Sequence, residues 1–480
     1  MTIMIYETII GLEVHVQLHT KSKMFCSCSA DYAGAEPNTH VCPICLGMPG
    51  VLPTINMQAI EYAVITALAL NCTIPEFTKF DRKNYPYPDL MKGYQISQYD
   101  APLSRDGWLT INPDEIGDGK EKRIGITRVH LEEDAGKLIH KNGYSLVDLN
   151  RVGTPLMEIV SEPDISSPQE AYDYLTRLKL ILQYAGISDC DMEKGTLRCD
   201  ANISLKKPEA AALGVKAEIK NLNSFKGVRD ALAHEEKRQA QALDSGEKII
   251  QETRLWDVQA DRTVVMRSKE EAHDYRYFPE PDLPDFLVTN ELIEREKGNL
   301  GEDPFARQAR FVRDYRVSEK DAVILVADKW LADFFEKSCE HFDQPDKICG
   351  WVLGPFLEQV NDLGRDKIKL SARDLARIAE LFVTGKLNNL MAKKVLNQVC
   401  LTGEDAQKIV EREGLAQVSG EDALAGLIAD TIKQNPAGVK DVLSGNDKAI
   451  MFLVGQVMKK SGGKANPKVA REMLEKAIRP

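Results

Sequence analysis

Apolar and polar residues alternate with a period of two in four stretches of the chain, and that period sends successive side chains to opposite faces of a strand. In TIIGLEVHVQL, Thr8 to Leu18, Leu12, Val14, Val16 and Leu18 point one way and Glu13, His15 and Gln17 the other. In RIGITRVHLEEDAGK, from Arg123, the residues Ile126, Arg128, His130 and Glu132 alternate with Thr127, Val129 and Leu131. That strand ends where Glu132, Glu133 and Asp134 run into Ala135-Gly136. LRCDANISL sets Arg198, Asp200, Asn202 and Ser204 against Leu197, Cys199, Ala201, Ile203 and Leu205. VKAEIK sets Lys216, Glu218 and Lys220 against Val215, Ala217 and Ile219, so that the last two strands, paired, present a floor of mixed charge. A polar strand face usually just meets water. These faces combine acids with histidines.

Helical spacing separates the strands. Asn56 to Asn71 reads as a helix from its Ala and Leu content and its Asn cap. Ser167-Pro168 opens another that ends near Gly186, with Ala171, Tyr174, Leu175, Leu178, Ile181, Leu182 and Ala185 as its buried stripe. Ser224 is placed to cap a long helix to about Asp244. From Asn290 the texture changes to helices with charged faces, near Asp303 to Tyr315, Ser318 to Cys339, Lys347 to Leu363 and Ser371 to Thr384. After Glu404 come short helices punctuated by Gly414, Gly420, Pro436, Gly445 and Gly462.

The 480 residues suffice for two to four domains, and 43% hydrophobic with 28% charged residues is a globular composition. No apolar run approaches the ~20 residues of a bilayer span, and MTIMIYETII lacks the basic-then-apolar pattern of a leader, so a cytoplasmic location is expected. Seven of the ten cysteines precede residue 200, which argues against a disulfide scaffold. The net charge of −11 does not announce a nucleic-acid binder, but the last 35 residues hold eight Lys and Arg against three acids, a local +5 that suits an anionic partner.

Three patterns carry candidate chemistry. Crowded like charges are costly without a cation or ordered solvent among them, so the Glu132-Glu133-Asp134 turn with its histidine suggests a hard-metal site; the alternative is a solvated acidic turn. Arg151, Thr154, Glu158 and Glu162 follow closely in DLNRVGTPLMEIVSEPD, and the Glu13–His15 face supplies a second acid-histidine pair able to join the same ion. Cys26 and Cys28, then Cys42 and Cys45, have the two-pair spacing of a tetrahedral thiolate zinc site, against buried or free thiols. The Pro-stiffened stretch from Lys79 to Asp100, with Asp81, Arg82, Lys83, Lys92, Tyr85, Tyr87, Tyr94 and Tyr99, resists periodic reading and has the composition of a ligand loop or of a surface loop with aromatic anchors.

Nine phrases in order, IGLEVHVQL, KFDRKNYPYPD, YQISQYD, HLEEDAGK, DLNRVGTPLMEIVSEPD, LRCDANISL, KNLNSF, DYRYFPEPDLP and FLVGQVMKKSGGKANP, closely resemble the B subunit of the tRNA-dependent amidotransferase. The resemblance implies an α+β fold: a mainly antiparallel cradle domain with helices over 1–292, an all-α helical domain over 293–403 and a small all-α tail domain over 404–480 that contacts tRNA. It implies that ATP phosphorylates the side-chain carboxylate of misacylated Glu-tRNA(Gln) or Asp-tRNA(Asn), and that ammonia from a glutaminase A subunit then displaces the phosphate. A small C subunit completes the heterotrimer, and the non-discriminating synthetase is a further expected partner. Carried onto this chain, Glu13, His15, Glu132, Glu133 and Glu158 are the expected catalytic cluster, with Mg2+ on Glu13, His15 and Glu133. Lys83, Tyr87, Arg151, Arg198, Asp200, Asn202 and Lys220 are expected at ATP or substrate, and Lys459, Lys460 and Lys464 at tRNA. The four-cysteine site varies in the family, so zinc there stays an expectation. A non-catalytic zinc-containing RNA-binding module is the main alternative, and it leaves the acid-histidine strands unexplained. A self-sufficient glutamine hydrolase fails, because the chain has no Gly/Ser-rich amidase signature and no N-terminal Cys nucleophile.

Overall fold

The alternation at the start of the chain becomes the central strand of one large sheet. β1, Glu7–Gln17, buries Ile10, Leu12, Val14 and Val16 to 1% exposure or less and turns Glu13, His15 and Gln17 to the other face. The computed structural model describes residues 6–111, 121–268, 275–415, 421–445, 447–462 and 465–479, so Asp274, Gly420 and Lys464 lie outside the described residues. The other strands of the sheet are β2 (Ser104–Ile111), β3 (Lys122–Glu133), β4 (Pro155–Ser161), β5 (Leu197–Lys206), β6 (Ala217–Leu222), β7 (Glu252–Asp257) and β8 (Arg262–Ser268). They lie in the order β8-β7-β6-β5-β1-β4-β3-β2. All neighbours are antiparallel except β6 and β7, which are joined by a helical crossover. This is the expected α+β class with a mainly antiparallel sheet.

Helices α1 (Met57–Ala69), α2 (Pro168–Tyr184) and α3 (Phe225–Asp244) share one core with the apolar side of the sheet. Their caps are those expected: Asn56, Ser167 and Ser224 accept from the amides of Gln58, Glu170 and Gly227 at 3.0, 3.1 and 2.9 Å. The opposite side of the sheet is left polar. On β3 the simple alternation fails, because a bulge between Ile126 and Arg128 shifts the register against β4. Ile124, Ile126, Val129 and Leu131 are therefore all buried, and Ile126 does not share the face of Arg128 and His130.

The stretch that resisted periodic reading forms a second, small sheet. Asp81–Asn84 pairs with Tyr94–Ser97 on one side and with Phe278–Pro279 on the other. The first compact unit runs to Asp303 and takes in α4 (Asn290–Asn299), which packs on α1 and places Leu292 in the same core. The second unit, from Pro304, is helical throughout its described residues. Its segment expected to run from Ser318 to Cys339 is two helices, Glu319–Val326 and Lys329–His341, the second capped by Asp328. Lys347 to Leu363 is broken by a wide turn at Val352–Phe356 around Pro355, which cannot donate to the helical ladder. Leu424 to Ile478 have a core cluster of their own, whereas Ala406–Arg412 packs on the helices before it. No helix among the described residues is long and apolar enough to cross a membrane.

A buried carboxylate fastens α3 to the far edge of the sheet. Glu235, 0% exposed, accepts from Arg238 Nε at 2.9 Å, Gln239 Nε2 at 3.0 Å and Thr263 Oγ1 at 2.9 Å, and lies 3.4 Å from Arg254 Nε. Burial pushes its carboxyl up, but Arg238 and Gln239 outweigh that and hold it below the usual range. A depressed acid stabilises above its unfolded pKa, and that stabilisation is lost as pH falls through the folded one. Glu235→Gln should cost about 3–5 kcal/mol at neutral pH, with the gap to the unmodified protein closing below roughly pH 4. Melting curves across pH check this; a gap that persists unchanged at pH 3 would show that the charge is not what matters.

Candidate active site

The polar face is organised by register. Across four neighbouring strands Arg198 pairs with His15, His15 with Glu158, and Glu158 with His130, one residue from each of β5, β1, β4 and β3. Glu132 enters from the next same-face position of β3. His15 Nε2 lies 3.1 Å from Glu158 Oε2 and 3.8 Å from Glu132 Oε1. His130 Nε2 lies 3.6 Å from Glu158 Oε2 and 3.9 Å from Glu132 Oε2. Arg128 donates through Nε to His130 Nδ1 at 3.3 Å and holds Nη2 3.9 Å from Glu158 Oε1.

His130, Glu132 and Glu158 are buried and His15 and Arg128 half-buried, and their charges set one another. Burial would raise Glu158, but His130, His15 and Lys83 outweigh it and hold the carboxyl well below the usual range. Glu132 is raised by burial and by repulsion from Glu158. His130 is held down to about 4 by burial and by the cations Arg128 and Lys83, against the pull of Glu158. His15 is also desolvated, yet its bond to Glu158 carries it above the ordinary histidine value. Lys83, lowered by burial but raised more by Glu132 and Glu158, is a firm cation beside the row, with its ammonium 5.1 Å from the Tyr275 ring centre. One ligand atom each from His15, Glu132 and Glu158 lie within 4.8 Å of one another, a spacing able to hold a hard divalent ion.

The remaining expected residues divide three ways. Glu13 is on the same face, two positions along β1, where its carboxylate accepts from Asn202 Nδ2 at 3.0 Å; beyond it Asp200 pairs with Lys220, which also lies 3.3 Å from Glu218. Glu133 is turned away, because adjacent strand residues face opposite sides. It pairs with Lys92, accepts from the Ile96 amide at 3.0 Å, and lines a cavity of about 160 Å3 beside Cys45 and Met48. The expected trio Glu13, His15 and Glu133 is therefore not the trio that the fold gathers. Arg151 and Arg198 hold Asp134, which is 2% exposed: Arg198 Nη2 at 2.9 Å, Arg151 Nε at 3.7 Å and Gln17 Nε2 at 2.7 Å. Arg151 also donates to the carbonyls of Ala135 and Gly136 at 2.8 and 2.7 Å, so it acts as a strap on the turn. Tyr87 is exposed. In the tail, Lys459 is exposed and the Lys460 ammonium is covered.

His130 and Asp134 belong to the acidic turn that was expected as a hard-metal candidate, whereas Arg128 was not among the expected site residues, although its same-face spacing with His130 and Glu132 was a usable signal. Tyr277, stacked on Tyr99 at 4.2 Å, had none, since it arrives from a distant segment. The four cysteines meet as the spacing suggested: their Sγ atoms lie within 4.8 Å of one another, Cys42 and Cys45 at 3.9 Å. A tetrahedral zinc with ~2.3 Å bonds sets sulfurs about 3.8 Å apart, so the set fits. Lys23, 0% exposed, donates to the His40 carbonyl at 2.7 Å and lies 3.9 Å from Cys45 Sγ, a buried cation that balances thiolate charge.

Two family models match: one described as the GatB/GatE catalytic domain over residues 8–294, the other as the GatB domain over 333–478. The aspartyl/glutamyl-tRNA(Asn/Gln) amidotransferase B subunit of Dehalococcoides mccartyi is 52% identical, over 98% of this chain and 99% of its own length. The proteins of the same name from Thermoanaerobacter pseudethanolicus and Brevibacillus brevis are 50% and 49% identical, each over 98% of this chain and 99% of their own.

Two acid–base pairs on the polar face make a controlled comparison. Asp134→Ala strands two cations beside a buried site and should destabilise the first unit by about 3–5 kcal/mol, whereas Asp200→Ala, whose partner Lys220 keeps part of its side chain in solvent, should cost under about 1 kcal/mol. Denaturant unfolding of both variants decides; equal losses would mean that Asp134 is not the latch.

Proposed function

The chain belongs to the family of aspartyl/glutamyl-tRNA(Asn/Gln) amidotransferase B subunits, and from that premise we propose that its polar sheet face is the ATP-dependent activation and amidation centre of a tRNA-dependent amidotransferase. The observation that carries this reading is the row of buried Glu158, His130 and Glu132 with half-buried His15, and with Lys83 and Arg128 beside it. A carboxylate is a poor electrophile, because ammonia would have to expel an oxide. The side-chain carboxylate of the misacylated amino acid therefore attacks the γ-phosphorus of ATP, the bond to the β-phosphate oxygen breaks, and ADP leaves. Ammonia from a glutaminase A subunit then adds to the acyl carbon, loses a proton, and inorganic phosphate departs with its bonding pair.

The transfer asks the protein mainly for position and charge compensation. Lys83 and Arg128 offset the charge of the phosphates at one side of the row. His130 accepts from Arg128 at Nδ1, so its neutral ring carries its hydrogen on Nε2 and is fixed as a donor. His15, Glu132 and Glu158 would hold Mg2+, which supplies charge neutralisation to the transferring phosphoryl group. The repulsion between Glu132 and Glu158 is the strain that such a cation relieves.

The same reading gives the chain an A and a C subunit and misacylated tRNA as partners, with exposed Lys459 at the basic end of the tail as a phosphate contact. Cys26, Cys28, Cys42 and Cys45 would hold a structural zinc, all four positions being filled by sulfur.

Glu158→Gln should lower ATP-dependent amide formation by the reconstituted complex about a thousandfold, the equivalent of ~4 kcal/mol, and leave glutamine hydrolysis by the A subunit in place. ATP consumption with charged against uncharged tRNA is the measurement; near-normal turnover would move the reaction elsewhere. Protein prepared without chelator should contain one zinc per chain, and the double change Cys42→Ser with Cys45→Ser should abolish it. Metal analysis showing zinc fully kept after both changes would sink the four-sulfur assignment.

A further inference from the structure

The turn that carries Cys42 and Cys45 touches the side of the acidic strand end through two residues that the proposed reaction leaves without a role, Lys92 and Glu133. Its backbone is closed on itself: the Leu46 amide donates to the Cys42 carbonyl at 3.1 Å, Gly47 to Ile44 at 2.9 Å and Met48 to Pro43 at 2.9 Å. Gly47 leaves the turn at φ +63°, a left-handed conformation that favours glycine. It also lies directly on Lys92. A Cβ at Gly47 would overlap the Lys92 Cγ and stand 3.2 Å from its Cβ and 3.3 Å from its Cα, so only hydrogen fits there while Lys92 keeps its place.

The Lys92 side chain is 8% exposed, and its ammonium pairs with Glu133. Glu133 is buried where the small sheet meets the large one: its carboxylate also accepts from the Ile96 amide at 3.0 Å, and its carbonyl accepts from Gln95 Nε2 at 2.7 Å. Gln95 is in turn the cross-strand partner of Lys83. Two further bonds close the same seam, from the Leu131 amide to Gln98 Oε1 at 2.9 Å and from Ser97 Oγ to Glu132 at 3.3 Å. A second contact ties the sulfurs to Glu133. A Cβ at Gly153 would stand 3.5 Å from Lys23 Cδ, 3.7 Å from Cys45 Cβ and 3.8 Å from Glu133 Oε2, so these three groups meet around one glycine.

We propose that Gly47 is a positioning residue: the four-sulfur turn presses it on Lys92, Lys92 holds Glu133, and Glu133 sets the small sheet so that Lys83 stands beside the His15–Glu158 row. The inference rests on the function proposed above. By this route the four cysteines act on phosphoryl transfer through the position of one lysine and not by contact with the substrate.

The test uses the reconstituted complex with Gly47→Ala, and with Gly50→Ala as its control. Gly50 lies in the same loop at φ +84° with open space around its Cβ position, so its substitution brings the same kind of backbone strain without meeting Lys92. Zinc content, labelling of Lys92 by an amine-acetylating reagent, glutamine hydrolysis, and kcat and KM for ATP are measured. Gly47→Ala should keep its zinc and label severalfold faster at Lys92. It should lower kcat for ATP-dependent phosphate release about tenfold or more, with KM for ATP within about threefold and glutamine hydrolysis unchanged. Gly50→Ala should stay within about twofold of the unmodified complex throughout. Lys92→Met should lower kcat by itself, and adding Gly47→Ala to it should lower kcat no further, as for residues acting in series. Zinc-free protein should show the same rise in Lys92 labelling; unchanged labelling there would overturn the link from the sulfurs to Lys92. If Gly47→Ala and Gly50→Ala lose kcat alike, or if Lys92→Met keeps near-normal kcat, the positioning assignment falls and the function stands. If the unmodified complex releases no phosphate with misacylated tRNA, the function itself falls.

Discussion

Glu158 is the charge that the first unit is built to hold. Its carboxylate is 7% exposed, and burial alone would push it up. It stays ionised because register brings a histidine to it from β1 on one side and from β3 on the other, while Lys83 arrives from the small sheet. Each compensating group belongs to a different element. The ionisation of one side chain thus depends on the pairing of three strands and on the docking of a fourth, and a slip of one residue in any of them would exchange its polar face for its apolar one.

The cations of the region have two distinct tasks. Arg151 and Arg198 looked like phosphate ligands from their charge and setting, but both hold Asp134, and Arg151 straps the turn that follows β3. That leaves Lys83 and Arg128 facing the row. Lys83 is aimed by the strand Asp81–Asn84, whose other edge is closed by Phe278–Pro279 and whose Arg82 is clamped on Glu280 at 2.7 Å through both Nε and Nη2. The site therefore has a rigid floor made by one sheet and a cationic side made by another. The two are joined through contacts between residues far apart in the sequence.

That construction explains what could be read from the chain and what could not. The faces of β1 and β5 follow from a period of two and were legible residue by residue, as were the caps Asn56, Ser167 and Ser224. On β3 the same rule misplaced Ile126, because a bulge is a property of pairing with β4 and leaves no mark in the alternation. By the same rule Glu132 and Glu133, adjacent on one strand, cannot both face the row. The small sheet was illegible because its strands are short and one partner lies nearly two hundred positions away. α4 has the charged texture of the later helices but an apolar contact, Leu292, with the earlier core, so its packing is not legible in its composition.

Two histidines flank one carboxylate and yet are shifted in opposite directions, and the reason bears on what the row can do. His130 is enclosed, with Arg128 bonded to its Nδ1, and is held down to about 4, so it stays neutral. His15 makes the shorter contact with Glu158 and is raised. Once one imidazole is charged, the second meets a like charge across the same carboxylate, and the two titrate as a pair rather than alone. Glu132, raised by burial and then by repulsion from Glu158, is the other group left unbalanced. A face with one firm anion, one neutral donor and one carboxyl pushed toward its proton is short of positive charge where His15, Glu132 and Glu158 converge. On the proposed function that deficit is the binding energy for the metal–nucleotide substrate: the sheet keeps the acids close at a cost that only the arriving cation removes, and the phosphates that come with it meet Lys83 and Arg128 on the side where the protein's own positive charge already stands.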